Sequence, residues 1–274
     1  MRLFCSRWLP AVVVGLVAAL PLAASAQTRL PFTCTFDQGN FNEWTGGFRN
    51  TTGVTIQSSG CQSGSCARAP IIGGTENDNY GDFYFGDHST VRGTKVEEVW
   101  LRFYSRFDSA GGWPTSGWET KLALLNLTDG QSTERRYQVF VIVNNQQQYV
   151  PVYSDISAWT FNHLQPNVGP RPAARLSQWD KIKMFVRLNT PGQSNGIIRL
   201  WVNDQLTVDY TNVNIRGGTA YGMNKLNLSS YSNTRNPGPQ YQWWDSWTMA
   251  ATDPDGGTNP GVPAAPTGLR IISQ

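Results

Sequence analysis

The sequence has little that would serve metal, thiol or helical chemistry. Its two histidines, His88 and His163, lie far apart in sequence with no ligand spacing, which argues against a zinc site. No Gly-x-Ser-x-Gly elbow occurs, so a Ser-His-Asp hydrolase of that type has no nucleophile position. The Glu-x-Asp-x-x-Glu run of jelly-roll glycosidases is also missing; Glu98 and Glu119 are the carboxylates left to weigh for hydrolysis, each with a cation nearby in sequence. Long amphipathic helical patterns are absent. Net charge is small, +3 for the whole chain, which excludes a global electrostatic case for nucleic-acid binding. Only one long apolar run exists, at the N-terminus.

That run has the form of a signal peptide. Arg2 and Arg7 precede the apolar stretch Leu9–Leu22, and Ala24-Ser25-Ala26 fits a signal-peptidase site. Residues 1–26 are therefore set apart, leaving about 248 residues expected to be secreted or periplasmic, without a membrane anchor, and a monomer. Of the remaining cysteines, Cys61 and Cys66 flank QSGS and are close enough for a tight disulfide loop; a pairing of Cys34 with either one is the alternative.

What the chain does have is alternation. In WDKIKMFVRLNTPGQSNGIIRLWVND, Ile182, Met184, Val186 and Leu188 share one face, as do Ile198, Leu200 and Val202. The other face carries Lys181, Lys183, Phe185, Arg187, Arg199 and Trp201. A period of two with one apolar face marks antiparallel strands over a core. VEEVWLRFYSRF repeats the pattern, with Val99, Leu101, Phe103 and Phe107 opposite Trp100, Arg102, Tyr104 and Arg106. KLNLSSY sets Leu226 and Leu228 against Lys225, Asn227 and Tyr231. Glu119 and Lys121 oppose Thr120, Leu122 and Leu124, and Gln138 falls on the following strand. Merged, the polar faces form a surface of rings, cations and amides suited to sugars: rings stack on pyranose faces, amides bind hydroxyls, and cations hold carboxylates. Two segments, Ser109–Gly117 and Gln146–Ser177, are too long for hairpin turns and are expected to be irregular loops. After Ala251, residues 253–274 are Pro/Gly-rich, and Pro266-Thr-Gly-Leu-Arg-Ile-Ile resembles the opening strand of a fibronectin type III module; this stretch is expected to be a solvated tail or a remnant.

The order FTCTFD, GCQSGSCA, EVWLRFYSRF, WETKLALLNL, WDKIKMFVRLN with GIIRLWVND, and WWDSWTMAATD resembles the concanavalin A-like jelly roll, and more narrowly the secreted bacterial polysaccharide lyases and their uncharacterised relatives. The resemblance implies an all-β sandwich of two antiparallel sheets over residues 27–252 that acts on an anionic, uronate-containing polysaccharide by β-elimination. It assigns Arg102 as carboxylate neutraliser. KLNLSSY overlies a Tyr-Phe-Lys-x-Gly-x-Tyr motif, with Ser229 in the glycine position and Tyr231 in that of the catalytic tyrosine. No Gln-Ile-His segment occurs, and Lys121 takes that strand's role in proton transfer. Trp100, Tyr104, Arg106, Gln138 and Asn227 are the expected substrate-binding residues. Asp37 and Asp245, on the first and last strands, are expected to hold a structural calcium, and the chemistry needs no cofactor. A non-catalytic carbohydrate-binding protein, a jelly-roll hydrolase and a surface protein without a glycan are the alternatives.

Overall fold

The alternating segments become strands, and their apolar faces meet. A computed structural model describes residues 30–44, 48–49, 53–71, 80–85, 95–108, 119–129, 136–232, 240–256 and 271–272. The signal segment, the 109–117 loop and most of the C-terminal tail fall outside the described residues. The strands are β1 (Phe32–Cys34), β2 (Phe48–Arg49), β3 (Thr55–Gln57), β4 (Cys66–Ile71), β5 (Tyr80–Tyr84), β6 (Lys95–Val96), β7 (Glu98–Phe107), β8 (Thr120–Thr128) and β9 (Tyr137–Val143). They continue with β10 (Tyr149–Asp155), β11 (Thr160–His163), β12 (Asp180–Arg187), β13 (Gly196–Val202), β14 (Gln205–Val213), β15 (Gly222–Leu228), β16 (Gln240–Ala250) and β17 (Ile271–Ile272). No helix occurs among the described residues.

Two antiparallel sheets form. The first has the order β14-β13-β12-β7-β16-β4-β3, with β1 added on β16; the second has the order β11-β10-β9-β8-β15-β5-β2, with β6 on β15 and β17 on β6. Between them lies one apolar core that includes Leu101, Phe103, Leu125, Val139, Val141, Met184, Leu200, Leu226 and Trp247. Phe103 and Trp247 stack there at 4.2 Å. The β13–β14 turn needs two left-handed residues, and Asn203 (φ 50°) and Asp204 (φ 66°) supply them.

Three expectations are corrected. Gln146–Ser177 is not wholly irregular, because it contains the β10–β11 hairpin. Pro151, which lacks a ladder donor, disguised β10 as a loop. Residues 253–256 do not leave the domain as a solvated tail: Asp253 and Asp255 lie against the first sheet, ion-paired to Lys183, Lys181 and Arg102, and β17 pairs with β6. Leu124 does not oppose Lys121. A bulge places both Leu122 and Ala123 in the core, so Lys121 and Leu124 emerge on the same outer face.

Cys61 and Cys66 form the disulfide, with Cα atoms 5.4 Å apart, and Cys34 is a free, buried thiol. Burial, helped by the nearby Glu43 charge, pushes that thiol up to about 12, so it is inert at neutral pH.

Candidate active site

Period two sorts every site residue onto one of two outer faces, and those faces are separated by the whole sandwich. On β7, Trp100, Arg102, Tyr104 and Arg106 point away from the core on the first sheet. Lys121 on β8, Gln138 on β9, Asn227 on β15 and Tyr231 beyond it belong to the second. Packed sheets stand about 10 Å apart, so no groove contains both sets. The assignment of Arg102 as neutraliser, and of Trp100, Tyr104 and Arg106 as substrate contacts beside Lys121 and Tyr231, is corrected accordingly.

Arg102 is engaged where it lies. Its guanidinium donates to Asp255 at 3.0 Å and to Thr248 at 2.8 Å. Trp100 packs with Phe185, Ile197 and Trp201 in a small cluster, and the Lys183 ammonium lies 5.6 Å and 5.1 Å from the Trp100 and Trp201 rings. Arg106 donates to the Gly60 carbonyl at 2.6 Å and sits over the Trp243 ring at 4.3 Å. Tyr104 is paired across strands with Lys181 and Asp245. Glu98 is on this sheet and Glu119 on the other, so they form no hydrolytic carboxylate pair.

The second sheet's outer face is different. Lys121 Nζ lies 4.6 Å from the centre of the Tyr231 ring and 5.4 Å from that of Phe140. The Lys121 backbone N–H donates to the Tyr231 carbonyl at 2.8 Å, and Ser229 Oγ accepts from the Tyr231 N–H at 3.1 Å. The β8 bulge and the turn after β15 therefore hold the two side chains together.

A row of polar side chains crosses the same face. Gln138 donates to Asn126 at 2.7 Å; Asn126 donates to Asn227, and Asn227 to Asp82, whose carboxylate lies 3.5 Å from Lys225. All five are buried, so each bond is strengthened by its low-dielectric surroundings and fixes the next side chain. Gln138 and Asn227 thus share this face, joined through Asn126.

Sequence reasoning missed Asn126 and Asp82, and it weighed Glu119 for hydrolysis and His163 for zinc without pairing them. His163 Nε2 lies 3.0 Å from Glu119 Oε1, two residues from Lys121. The hydrogen bond to Glu119 raises the imidazole pKa above its usual value, against an opposing effect of burial. A polar depression of about 550 Å³ opens beside this pair, lined by Asn144, Asn145, Gln146, Gln165 and Arg171. The signal for Asp82 was present in YGDFYF, where Asp82 and Tyr84 alternate with Phe83 and Phe85. For His163 there was none, because β11 is only four residues long and exposed throughout.

Asp37 and Asp245 fit a calcium site poorly. Asp37 accepts the Ser65 N–H at 2.7 Å, and Asp245 accepts the Ser63 N–H at 2.9 Å and the Ser246 hydroxyl at 3.0 Å. These donors belong mainly to the Cys61–Cys66 loop, which a cation would have to displace. Gly64 (φ 44°) is required there, since a Cβ would collide with the Asp37 carboxylate. No group of three or more His, Cys, Asp or Glu side chains able to hold a metal occurs among the described residues.

A model of the family Polysaccharide lyase 14 matches residues 174–236, the stretch from just before β12 to just beyond Tyr231. The architecture is similar to that of an endo-β-1,4-glucuronan lyase from the fungus Trichoderma reesei, with a TM-score of 0.58, 13% identity, and coverage of 81% of this chain and 95% of that one. It is similar also to an alginate lyase from Aplysia kurodai, with a TM-score of 0.56, 11% identity, and coverage of 82% and 99%. An alginate lyase from a Chlorella virus follows, at 0.52, 10%, and 79% and 98%. No curated protein matches the chain significantly. At these identities the likeness shows the fold, and the resemblance to jelly-roll polysaccharide lyases drawn from the sequence holds in both the family model and the architecture.

Proposed function

We propose that the chain is a secreted polysaccharide lyase that cleaves a uronate-containing polymer by β-elimination on the outer face of the second sheet. The observation that carries this reading is the Lys121–Tyr231 pair, with the ammonium 4.6 Å from the phenol ring, beside a fixed row of amides. In β-elimination a base removes the C5 proton, the C4–O4 bond breaks, a C4–C5 double bond forms, and the departing O4 takes up a proton. The C5 proton is too weakly acidic until the adjacent carboxylate is neutralised. With Arg102 on the other sheet, Lys121 faces that carboxylate in this reading, and Tyr231 takes the C5 proton and returns it to O4. The row of Gln138, Asn126 and Asn227 forms a fixed polar floor beneath the sugars. The substrate class is supported by the lyase family match and by the glucuronan and alginate lyases that share the architecture.

The test is incubation with alginate, glucuronan, heparin and pectate while following absorbance of the unsaturated product. Turnover is expected on at least one, and Tyr231→Phe is expected to lower kcat by about 10²–10⁴-fold while polymer binding is kept. Binding without turnover on every polymer would replace this reading with a non-catalytic glycan-binding one. Turnover that survives Tyr231→Phe would remove the tyrosine from the mechanism.

A further inference from the structure

The β10–β11 hairpin holds an indole ring out in water. Among the described residues, Trp159 and Phe161 are the large hydrophobic side chains left exposed, at 77% and 41%. Solitary exposed apolar residues are ordinary, but an adjacent pair on a braced turn, aligned with a catalytic face, is a built surface. We propose that Trp159 and Phe161 form a distal platform that stacks on pyranose rings of the same polysaccharide, remote from the bond being cleaved. The proposal rests on the lyase reading above and extends it by a subsite.

Three observations carry it. The first is alignment. Phe161 pairs with Ser154, Ser154 with Gln138, and Gln138 with Asn126, so the platform continues the cross-strand row that ends in the amides. A second line of rings leads to the catalytic pair: Trp159 to Phe161 at 6.5 Å, Phe161 to Phe140 at 6.4 Å, Phe140 to Lys121 Nζ at 5.4 Å, and Lys121 to the Tyr231 ring at 4.6 Å. A polymer bound across the sheet would pass from Trp159 and Phe161 over the buried Phe140 to Lys121 and Tyr231.

The second observation is rigidity. Asp155 accepts the Ser157 N–H at 3.0 Å and its hydroxyl at 2.6 Å, and holds Arg136 Nη2 at 3.1 Å. The Trp159 N–H closes the turn on the Ile156 carbonyl at 3.2 Å, and the Ile156 N–H reaches the Arg136 carbonyl at 2.8 Å. Trp159 itself takes a left-handed conformation, φ 51°. A turn braced in this way presents the indole with little ordering left to do on binding, which is where preorganised sites gain affinity.

The third is polarity. Arg136 with Asp155 borders one end of the two rings and His163 with Glu119 the other, each pair matched within the chain. A sugar polymer meets both requirements, with apolar ring faces for the aromatics and hydroxyls for the polar groups beside them.

The experiment compares Trp159→Ala, Phe161→Ala and the double variant with the wild type on alginate and glucuronan polymers and on their trisaccharides. The double variant is expected to raise KM for the polymer about tenfold, equivalent to about 1.4 kcal/mol, with kcat changed less than twofold. Trisaccharide turnover and the urea midpoint are expected to stay the same, and Trp159→Phe should restore most of the polymer affinity. Equal KM on polymer in wild type and double variant would overturn the platform while leaving the lyase reading intact. An equal loss on polymer and trisaccharide would also overturn it, because the effect would not be distal. Loss of a wild-type dimer in light scattering, with unchanged kinetics, would reassign the patch to a contact between copies. A wild type that neither cleaves nor binds any uronate polymer would remove the lyase reading itself, and the platform with it.

Discussion

Replacing Asp255 with Asn removes the charge that ties the turn following β16 to the first sheet. The Asp255 side chain is 18% exposed and lies 3.0 Å from Arg102, 3.0 Å from Lys181 and 3.2 Å from Lys183. Burial alone would raise its carboxyl pKa, but Lys181, Arg102 and Lys183 together overcome that and bring it from 3.8 to about 2. A displacement of that size corresponds to about 2 kcal/mol of folding free energy. Because the folded pKa is depressed, this stability is fully present above the unfolded value near 4 and is lost as pH falls towards 2. The isosteric Asp255→Asn variant should therefore lose about 2 kcal/mol at pH 7, a fall in Tm of about 4–8 °C for a domain of this size. Urea unfolding followed by tryptophan fluorescence measures this directly. The gap between wild type and variant should be constant from pH 8 to 5 and narrow below pH 4. Equal midpoints at pH 7, or a gap that persists unchanged at pH 3, would refute the reasoning.

Two other perturbations are readable in solution. The hydrogen bond that His163 donates to Glu119 should make it titrate above the ordinary imidazole value of about 6.5, and Glu119→Gln should return it towards that value. The stability from this pair is present at low pH and fades as pH rises through the folded pKa; with only two histidines in the chain, NMR titration of a His88→Ala background isolates the signal, and an unmoved midpoint counts against the pairing. Removing the Cys61–Cys66 bridge by Cys61→Ser with Cys66→Ser should cost about 2 kcal/mol for so short a loop. A melting temperature equal to that of the oxidised wild type would mean that the Asp37 and Asp245 hydrogen bonds hold the loop unaided.

The fold was legible because its largest strands carry uninterrupted alternation. Val99 to Phe107, Ile182 to Leu188 and Ile198 to Val202 all place their apolar residues in the core. Where alternation is broken by backbone chemistry, legibility failed. Pro151 concealed β10, and β11 is too short and too exposed to have a period. At Leu122 a single extra residue reverses the parity of β8, so Leu124 was assigned to the wrong face while Lys121 kept the right one. Lys121 and Tyr231 come together because β8 and β15 are neighbours in the second sheet, and Gln138 and Asn227 are joined across β8 by Asn126.

Arg102 was misassigned for a deeper reason. A sandwich has two outer faces, and strands from both sheets present the same pattern of apolar-in and polar-out residues. Period two reports that Arg102 and Lys121 each point away from the core, but not that they point in opposite directions. Among the described residues, the ion pairs show how the first sheet's outer face is closed. Three cations of the first sheet, Arg102, Lys181 and Lys183, are matched by Asp253 and Asp255, supplied a few residues after the last long strand. Arg199 is matched by Asp209 at 2.8 Å on the adjacent strand. A cationic sheet face provided with acids from its own chain is built to be closed by that chain, since a polyanion would have to displace carboxylates already held at hydrogen-bonding distance. On the second sheet the acidic partners sit inside the row of amides and beside His163, where they orient donors and leave the rings of Tyr231, Phe161 and Trp159 towards solvent. The run DPD after Ala251 is thus the sequence feature that marks the first sheet's outer face as closed by its own chain.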